Sequence, residues 1–570
     1  MTNEPVTSTV LEEARWFGPA EGRLFGWLMR PDVDAARGGV VLAQPVGREA
    51  RAARRAMRSL GIELAKRGFV VVRLDYPGTG DSSGSLQEID VQRAWVDAIG
   101  DAAAFLQSLG VNDVSAVGMR LGAVVVGLAN AKGLALSSLV LWDPCESGRQ
   151  FLREVGALES LRRADFEAPI DGSCITSEWV FRPTTVEQIR GMDLLSAASD
   201  IRADRLLIIT RDDRAFSEKL RSRLESRSAE WEVTSEQRAM LDVEPLDAVL
   251  ATNAIRRIAT WLDESDAQCK PLVAGDTDPC TTVSGRRDDP RIQETFVRLG
   301  RRRLFGIVSA PLGQSCGPLV VLLNVANEEH IGPSRLWVEL SRGWSGEGLR
   351  CVRFDLSGIG DSPSLPMDPT SPWYEPEWLD DVEDVARQMQ PEDPTNVVFV
   401  GLCSGAYLAL EGAFAVGATG ACVINPPVGI DLLHASTILR KLRVKWLKFI
   451  AKQTRVLQWN RWVAAGSWQI LRVFLPRRLS QDLMATVVEG GTTLFVLASI
   501  DDISPYPNIP VLRSIDRRRV VAPRNYKAEI IPGLDHSMHA AKGRDLAMAS
   551  LDRFVRDRFV VVTPESASGA

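Results

Sequence analysis

The chain carries an internal repeat, and no other feature of the sequence restricts its fold so strongly. RLFGWLMRP at 23–31 returns as RLFGIVSAP at 303–311, and RLDYPGTGDS at 73–82 returns as RFDLSGIGDS at 353–362, in both cases 280 residues later. GMRLGA at 118–123 returns as GLCSGA at 401–406. Three matches in the same order indicate a duplication. The 570 residues are therefore expected to form two domains of one architecture.

The limits of the two domains follow from composition. Residues 265–290 are rich in Gly, Pro, Asp, Ser and Thr and lack apolar periodicity, which is typical of a linker. This predicts a first domain at 1–264 and a second at 291–562. The last residues, 563–570 (TPESASGA), are expected to form a disordered tail.

Each half alternates short β-branched runs with stretches of helical length. The runs are VVLA, FVVVRLD, VSAVG, SLVLW and LLIIT in the first half, and LVVLLNV, CVRFDL, VVFVG, ACVIN and LFVLAS in the second. Runs of this kind are typical of strands buried on both faces. The pattern predicts the α/β class, with a mainly parallel sheet flanked by helices in each domain.

Composition excludes several functions. With 67 Lys and Arg against 73 Asp and Glu, the net charge of −6 gives no general electrostatic reason to bind nucleic acid. The eight cysteines form no CxxC pair, so neither a zinc site nor another metal or cofactor is expected, and a reducing compartment is favoured. The start, MTNEPVTSTV, lacks the features of a signal peptide, and no apolar stretch reaches about 18 residues. A cytoplasmic location is the expectation.

One pentapeptide of the second half has the pattern of a nucleophilic turn. Gly401-Leu402-Cys403-Ser404-Gly405 follows the apolar run VVFVG and precedes a helical segment. A strand, Gly-x-nucleophile-x-Gly and a helix place the central residue on a tight turn at the carboxyl edge of a sheet. The helix N-terminus would favour the thiolate of Cys403. The alternative is that Cys403 is a small buried hydrophobic residue.

The corresponding pentapeptide of the first half, 118–122, has Arg120 at its centre. A guanidinium stays protonated at all accessible pH values and cannot attack an acyl carbon. The four histidines of the chain all lie in the second half, at His330, His434, His536 and His539. The first half therefore lacks both a nucleophile and a histidine base. It is expected to serve packing, to bind an anionic ligand through Arg120, or to cover the site of the second half.

Both halves, over roughly 15–262 and 293–560, resemble the α/β-hydrolase superfamily in these turns and in the R-x-D-x-x-G-x-G-D-S segments. More narrowly, the chain resembles the paired bacterial hydrolases associated with exosortase and polysaccharide gene clusters. In those pairs one protein has a GLRLGA-like turn and the other a GLCSGA-like turn, here fused in one chain. Gly358 and Gly360 are expected to shape a turn near the site, and Asp361 to anchor it.

The resemblance implies a triad in the order nucleophile, acid, histidine. Cys403 is then the nucleophile and His536, after the run KAEIIP, is the base. The preferred acid is Asp502, and Asp501 is the alternative. The oxyanion would be held by the backbone N–H of Ser404 and by one from the loop after LVVLLNV, near Val325 or Ala326.

The same resemblance implies the function. The second domain is expected to be an acyl hydrolase (esterase or thioesterase) or an acyltransferase that forms a covalent acyl-thioenzyme. Its substrate would be an acyl ester or thioester, either a small molecule or carrier-bound, with His330 as a candidate substrate contact. The first domain would be a pseudo-hydrolase. The alternative is a non-catalytic binding or scaffold protein built from two degenerate domains; the oligomeric state stays open.

A basic segment lies where this superfamily inserts a lid, at about 430–488 in this chain. Residues 432–481 contain eleven Lys and Arg, no acid and four interleaved tryptophans. Three interpretations stay open, namely a peripheral contact with an anionic membrane, a binding face for an anionic substrate, and a plain helical lid.

Overall fold

The structure is a computed structural model. It describes residues 9–162, 171–176, 179–245, 247–265, 269–272, 282–284, 291–363, 376–426, 484, 486–499, 524–536, 538 and 541–560. The chain divides into two compact units. Unit 1 comprises Met1–Arg298, Gly306–Cys316 and Ile331–Arg353, and unit 2 comprises Leu299–Phe305, Gly317–His330 and Phe354–Ala570. The predicted domain limits at 264 and 291 stay predictions, and the tail at 563–570 lies outside the described residues.

The strands, in chain order, are β1 (Val10–Phe17), β2 (Leu24–Pro31), β3 (Ala35–Ala36), β4 (Gly38–Ala43), β5 (Phe69–Leu74), β6 (Val114–Met119), β7 (Ser138–Trp142), β8 (Cys174–Ile175), β9 (Val180–Phe181), β10 (Arg205–Arg211), β11 (Glu230–Thr234), β12 (Lys270–Pro271), β13 (Thr282–Ser284), β14 (Ile292–Leu299), β15 (Leu304–Pro311), β16 (Leu319–Leu322), β17 (Cys351–Phe354), β18 (Val397–Leu402), β19 (Gly420–Ile424), β20 (Thr493–Ser499) and β21 (Tyr526–Ile531). Every apolar run listed in the sequence analysis forms one of these strands, which confirms the prediction. Within the predicted linker, β12 pairs with β3, and β13 pairs with β14.

The helices are α1 (Arg48–Lys66), α2 (Val91–Ser108), α3 (Leu121–Ala131), α4 (Gly148–Arg162), α5 (Pro183–Arg190), α6 (Leu194–Ala197), α7 (Glu218–Glu225), α8 (Gln237–Leu241), α9 (Thr252–Asp263), α10 (Leu336–Gly346), α11 (Pro376–Met389), α12 (Ser404–Val416) and α13 (Ala541–Phe559). Short 3-10 helices cover Ala20–Gly22, Ala198–Asp200 and Pro333–Arg335. None of the described helices is long and apolar enough to cross a membrane.

Two large sheets share one strand order. The first runs β1-β2-β5-β4-β6-β7-β10-β11, and the second runs β13-β14-β15-β17-β16-β18-β19-β20-β21. From β14 onward the second order repeats the first, strand for strand. In the first sheet β2 pairs antiparallel with β1 and β5, and the remaining pairs are parallel. The predicted fold class is confirmed as two mainly parallel, α/β-hydrolase-like sheets flanked by helices.

The sheets are buried because helices cover them with apolar faces. All six residues of β4, β5, β6 and β18 are buried, as expected for central parallel strands. Helix α9 buries Ile255, Ile258 and Leu262, which are three or four residues apart and so lie on one face. These faces supply the apolar burial that stabilises each layer.

The R-x-D-x-x-G-x-G-D-S segment forms the expected turn, and its first aspartate bonds to the turn. Asp355 Oδ2 accepts the backbone N–H of Asp361 at 2.9 Å, whereas Asp361 contributes its amide to this bond. Gly360 has φ of +54°, and a Cβ there would overlap the Asp355 carboxylate. The first aspartate of the motif thus reaches back under the turn, and an anchoring role for the Asp361 side chain stays a prediction. The first half repeats this contact between Asp75 and Asp81 at 3.1 Å.

Gly122, the last residue of the first-half pentapeptide 118–122, tests how closely the start of α3 packs against the backbone at the end of β4. A Cβ on Gly122 would overlap the Ala43 carbonyl and lie 2.5 Å from the Gln44 carbonyl, so Gly122→Ala is expected to destabilise the protein by about 1–3 kcal/mol. Gly100 also lies in a helix and has open space around it, so Gly100→Ala is expected to stabilise by about 0.5–1 kcal/mol. Urea unfolding followed by tryptophan fluorescence measures both. Equal effects of the two substitutions would contradict the packing argument.

Candidate active site

Cys403 lies on the sharp turn between β18 and α12. Its backbone angles, φ 53° and ψ −117°, are rare for a residue with a side chain and cost about 1–3 kcal/mol. The turn is held by the Cys403 N–H, which donates to the Ile424 carbonyl at 3.0 Å, and by the Ala406 N–H, which donates to the Cys403 carbonyl at 3.0 Å. The sulfur is partly exposed. The structure thus places Cys403 where the motif predicted a nucleophile.

The two glycines of the pentapeptide are required by close backbone packing. A Cβ on Gly401 would overlap the Gly405 carbonyl, and a Cβ on Gly405 would lie 2.5 Å from the Asn324 carbonyl. Backbone atoms cannot move aside as a flexible side chain can, so only glycine fits at both positions. The Gly-x-Cys-x-Gly spacing therefore fixes the turn that presents Cys403.

His536 lies against the cysteine. Its Nε2 is 3.1 Å from Cys403 Sγ, although 133 residues separate the two in the chain. The histidine follows β21 on a short turn, in which the Leu534 N–H donates to the Ile531 carbonyl at 3.3 Å. His536 is exposed, and Cys403 is partly exposed. The structure brings together two of the predicted site residues.

Asn425 was missed by the sequence analysis and links the loops of the site. It follows β19 with φ of +44° and is 1% exposed. Its Nδ2 donates to the carbonyls of Asp535 at 3.1 Å and His536 at 2.9 Å, and its Oδ1 accepts the Ser499 N–H at 2.7 Å. One amide therefore holds the histidine turn beside the end of β20. The signal in the sequence is a polar residue directly after the apolar run ACVI.

The predicted oxyanion residues lie together, with one unexpected bond. The Ala326 N–H donates to Ser404 Oγ at 2.7 Å, so this amide is already engaged by a side chain. Val325 is buried, and its carbonyl accepts the Glu328 N–H at 2.8 Å. Ser404 is the first residue of α12, where backbone N–H groups have no acceptor within the helix. The loop after β16 and the start of α12 thus meet beside Cys403.

His330, the candidate substrate contact, lies inside unit 2. Its Nδ1 is 3.0 Å from Asp355 Oδ2, and its backbone N–H donates to Asp355 Oδ1 at 2.7 Å. The ring packs edge-on against Phe305, with 5.2 Å between ring centroids, and the residue is 2% exposed. This environment favours an anchoring role for the loop over direct contact with substrate.

The remaining second-half predictions lie outside the described residues. These are the candidate acids Asp502 and Asp501, the basic segment 432–481, His434 and His539. Among the residues that the structure does describe, no three His, Cys, Asp or Glu side chains form a group able to hold a metal ion.

The first half reproduces the turn around an arginine. Arg120 has φ 56° and ψ −119°, close to the angles of Cys403, and its N–H donates to the Trp142 carbonyl at 3.0 Å. Its guanidinium is 2% exposed and donates to Glu49 Oε1 at 3.0 Å and to the Glu154 carboxylate. The two turns therefore share their backbone geometry, and the first carries a buried cation at the position that Cys403 occupies in the second.

Carboxylates balance this cation. Besides the carboxylates of Glu49 and Glu154, the Asp143 carboxylate lies 3.6 Å from the Arg120 guanidinium. Burial raises the pKa of the Glu49 and Asp143 carboxyls, although the positive charge of Arg120 counteracts this. An internal structural role for Arg120 is therefore favoured over the binding of an anionic ligand.

The chain is similar to one family model and to several solved structures. The family model described as "Alpha/beta hydrolase family" matches residues 330–549. Similar solved structures include an esterase from Pyrococcus furiosus, with 17% identity over 46% of this chain and 93% of that chain and a TM-score of 0.34. Another is a Butyrivibrio proteoclasticus protein with bound ferulic acid, with 14% identity, coverage of 44% and 99% and a TM-score of 0.33. No curated protein matches the chain.

Asn425 gives a direct test of how the site is held. Asn425→Ala would remove three hydrogen bonds to the backbone, one of them from the buried Ser499 N–H, and we expect it to lower the free energy of unfolding by about 2 kcal/mol or more. Asn425→Gly adopts the positive φ without strain and separates the backbone effect from the lost bonds. Urea unfolding measures both variants. An unchanged midpoint for Asn425→Gly would contradict the role given to the side-chain amide.

Proposed function

We propose that unit 2 is a cysteine-dependent acyl hydrolase or acyltransferase that works through an acyl-thioenzyme. The observation that carries the proposal is the 3.1 Å distance between Cys403 Sγ and His536 Nε2, with the cysteine on a strained turn at the start of a helix. A nucleophile within hydrogen-bond distance of a base is the arrangement that covalent catalysis requires. The match to the α/β-hydrolase family model supports the same reaction class.

The first half-reaction transfers the acyl group to sulfur. His536 Nε2 takes the proton of Cys403, and the sulfur attacks the carbonyl carbon of the acyl donor. The π electron pair of the carbonyl moves to its oxygen and gives a tetrahedral oxyanion. When this collapses, the bond to the leaving group breaks, and the leaving alkoxide or thiolate takes the proton from His536. The product is a thioester on Cys403.

The second half-reaction releases the acyl group. His536 takes a proton from water or from an alcohol, amine or thiol acceptor, which attacks the thioester carbon. The carbon–sulfur bond breaks, and Cys403 leaves as the thiolate and recovers the proton from His536. Water makes the protein an esterase or thioesterase, and another acceptor makes it an acyltransferase. Thioester donors suit a sulfur nucleophile, because the attacking and leaving groups are alike.

The acid and the lid of this proposal come from the sequence. Asp502 is the proposed partner of His536, and Asp501 is the alternative. The cations of 432–481 suit an anionic acyl carrier or an anionic membrane surface close to the site. The cysteine content suits a reducing, cytoplasmic environment.

For the first half we propose a pseudo-hydrolase that arose by tandem duplication. The shared strand order supports the duplication, and Arg120, on a turn with the geometry of the Cys403 turn, supports the loss of the nucleophile. The same observation favours a second candidate function for the whole chain, a non-catalytic scaffold. In that case Cys403 would be as inert as Arg120.

The formation of an acyl adduct tests the proposal. Incubation with a short-chain p-nitrophenyl ester or an acyl-N-acetylcysteamine thioester should add one acyl group, located at Cys403 by peptide mass spectrometry. The adduct should be absent in Cys403→Ala, and it should form about 100-fold more slowly in His536→Ala, because the general base is lost. Asp502→Asn should slow it, and the matched Asp501→Asn should not.

Cys269→Ala is the control, because Cys269 is exposed and lies outside the site. It should leave the adduct unchanged. An acyl group found on Cys269 and absent from Cys403 would contradict the enzyme proposal and favour the scaffold.

A further inference from the structure

We infer that the side-chain hydroxyl of Ser404, in place of the Ala326 amide, supplies the second hydrogen bond to the oxyanion. The inference rests on the proposed function, since it concerns the transition state of that reaction. The first donor is the backbone N–H of Ser404 at the start of α12. Ser404 would thus contribute both donors, one from its backbone and one from its side chain.

The inference starts from the bond between Ala326 and Ser404. The Ala326 N–H points at Ser404 Oγ from 2.7 Å, so its single proton is already used. A hydroxyl that accepts such a bond still has its own proton to donate. In the described part of the chain, Ser404 Oγ has no acceptor for that proton. The Ala326 N–H therefore donates to the Ser404 hydroxyl, and the hydroxyl can donate its own proton to the oxyanion.

The position of Ser404 makes this donor useful. Ser404 is covalently next to Cys403 and begins the helix whose positive end faces the turn. Ser404 Oγ accepts the Ala326 N–H, so it lies at the position that an oxyanion bound by this amide would take. Ser404 is 4% exposed, so little water competes for its proton. A donor in such a site is worth more than one in bulk water.

The loop is fixed in this arrangement by bonds of its own. Ala326 has φ of +50°, an uncommon conformation for alanine that requires support from its surroundings. Asn324 gives that support, because its Nδ2 donates to the Glu328 carbonyl at 2.8 Å and its Oδ1 accepts the Leu356 N–H at 3.0 Å. The bond from Ala326 also polarises the Ser404 hydroxyl, which strengthens it as a donor. The donor is therefore oriented before substrate arrives.

The competing interpretation is that the hydroxyl fills the oxyanion position and obstructs it. The two interpretations predict opposite effects of Ser404→Ala. Removal of a donor slows acylation of Cys403, whereas removal of an obstruction frees the Ala326 N–H and speeds acylation.

The test compares wild type, Ser404→Ala and Ser404→Thr on an oxygen ester and on the matched thionoester, in which sulfur replaces the carbonyl oxygen. With the ester, Ser404→Ala should lower the acylation kcat about 100-fold at unchanged KM, as found when one oxyanion donor is lost. With the thionoester the loss should be about 10-fold or less, because sulfur is a weak acceptor. Ser404→Thr keeps a hydroxyl and should recover part of the rate.

Three results would overturn the inference. The first is an acylation rate that is unchanged or faster in Ser404→Ala, and the second is an equal loss of acylation rate on the ester and the thionoester. The third is a loss of rate in Ser404→Ala that is as large in Ser404→Thr, although both variants unfold at the wild-type urea midpoint. Acylation of the wild type at Cys403 is measured in the same series. Its absence overturns the proposed function together with this inference, whereas its presence with any of the three results overturns the inference alone.

Discussion

The structure depends on one steric constraint, the close approach of two backbones at the carboxyl end of a central parallel strand. Gly401 and Gly405 let the start of α12 pack against β18 and the Asn324 carbonyl, and the residue between them is forced to positive φ. Because that conformation projects the side chain from the sheet edge, its chemistry decides what the domain can do. A thiol at this point, in Cys403, lies beside the imidazole of His536 and is the proposed nucleophile. A guanidinium on the same turn, in Arg120, gives a buried ion cluster.

Around this turn, polar side chains join segments that are far apart in sequence. Asp355 holds the turn at Asp361 and the backbone and ring of His330, and Asn425 holds the turn that carries His536. Buried polar groups of this kind are stable only when their hydrogen bonds are made, so each bond restricts the loops it connects. The 3.1 Å distance between the Cys403 sulfur and the His536 imidazole therefore depends on the whole sheet edge.

The sequence predicted the central strands and the pair of Cys403 and His536, because apolar runs and the glycine spacing are local signals. It did not predict the role of Asn425, because the side chain bonds to backbone groups 74 to 111 residues away and such contacts leave no local pattern. It did not predict that Asp355 bonds to the turn, because the motif contains two aspartates and its spacing does not say which one accepts the backbone N–H. It also missed β1, whose sequence VLEEARWF is not continuously apolar and whose first four residues are only partly buried. The sequence also did not predict the bond from the Ala326 N–H to Ser404 Oγ. The motif indicates a backbone donor after the nucleophile position and gives no information about the side chain of that residue.

The reactivity of Cys403 toward iodoacetamide at pH 7 tests the central claim without a choice of substrate. Burial raises the pKa of Cys351 to about 12 and that of Cys174 to about 11, so these thiols are slow internal references, and Cys269 is the exposed one. Peptide mass spectrometry should find Cys403 alkylated about 10-fold faster than Cys269, with the advantage lost in His536→Ala. Alkylation of Cys403 no faster than that of Cys269, in wild type and variant alike, would contradict an activated nucleophile.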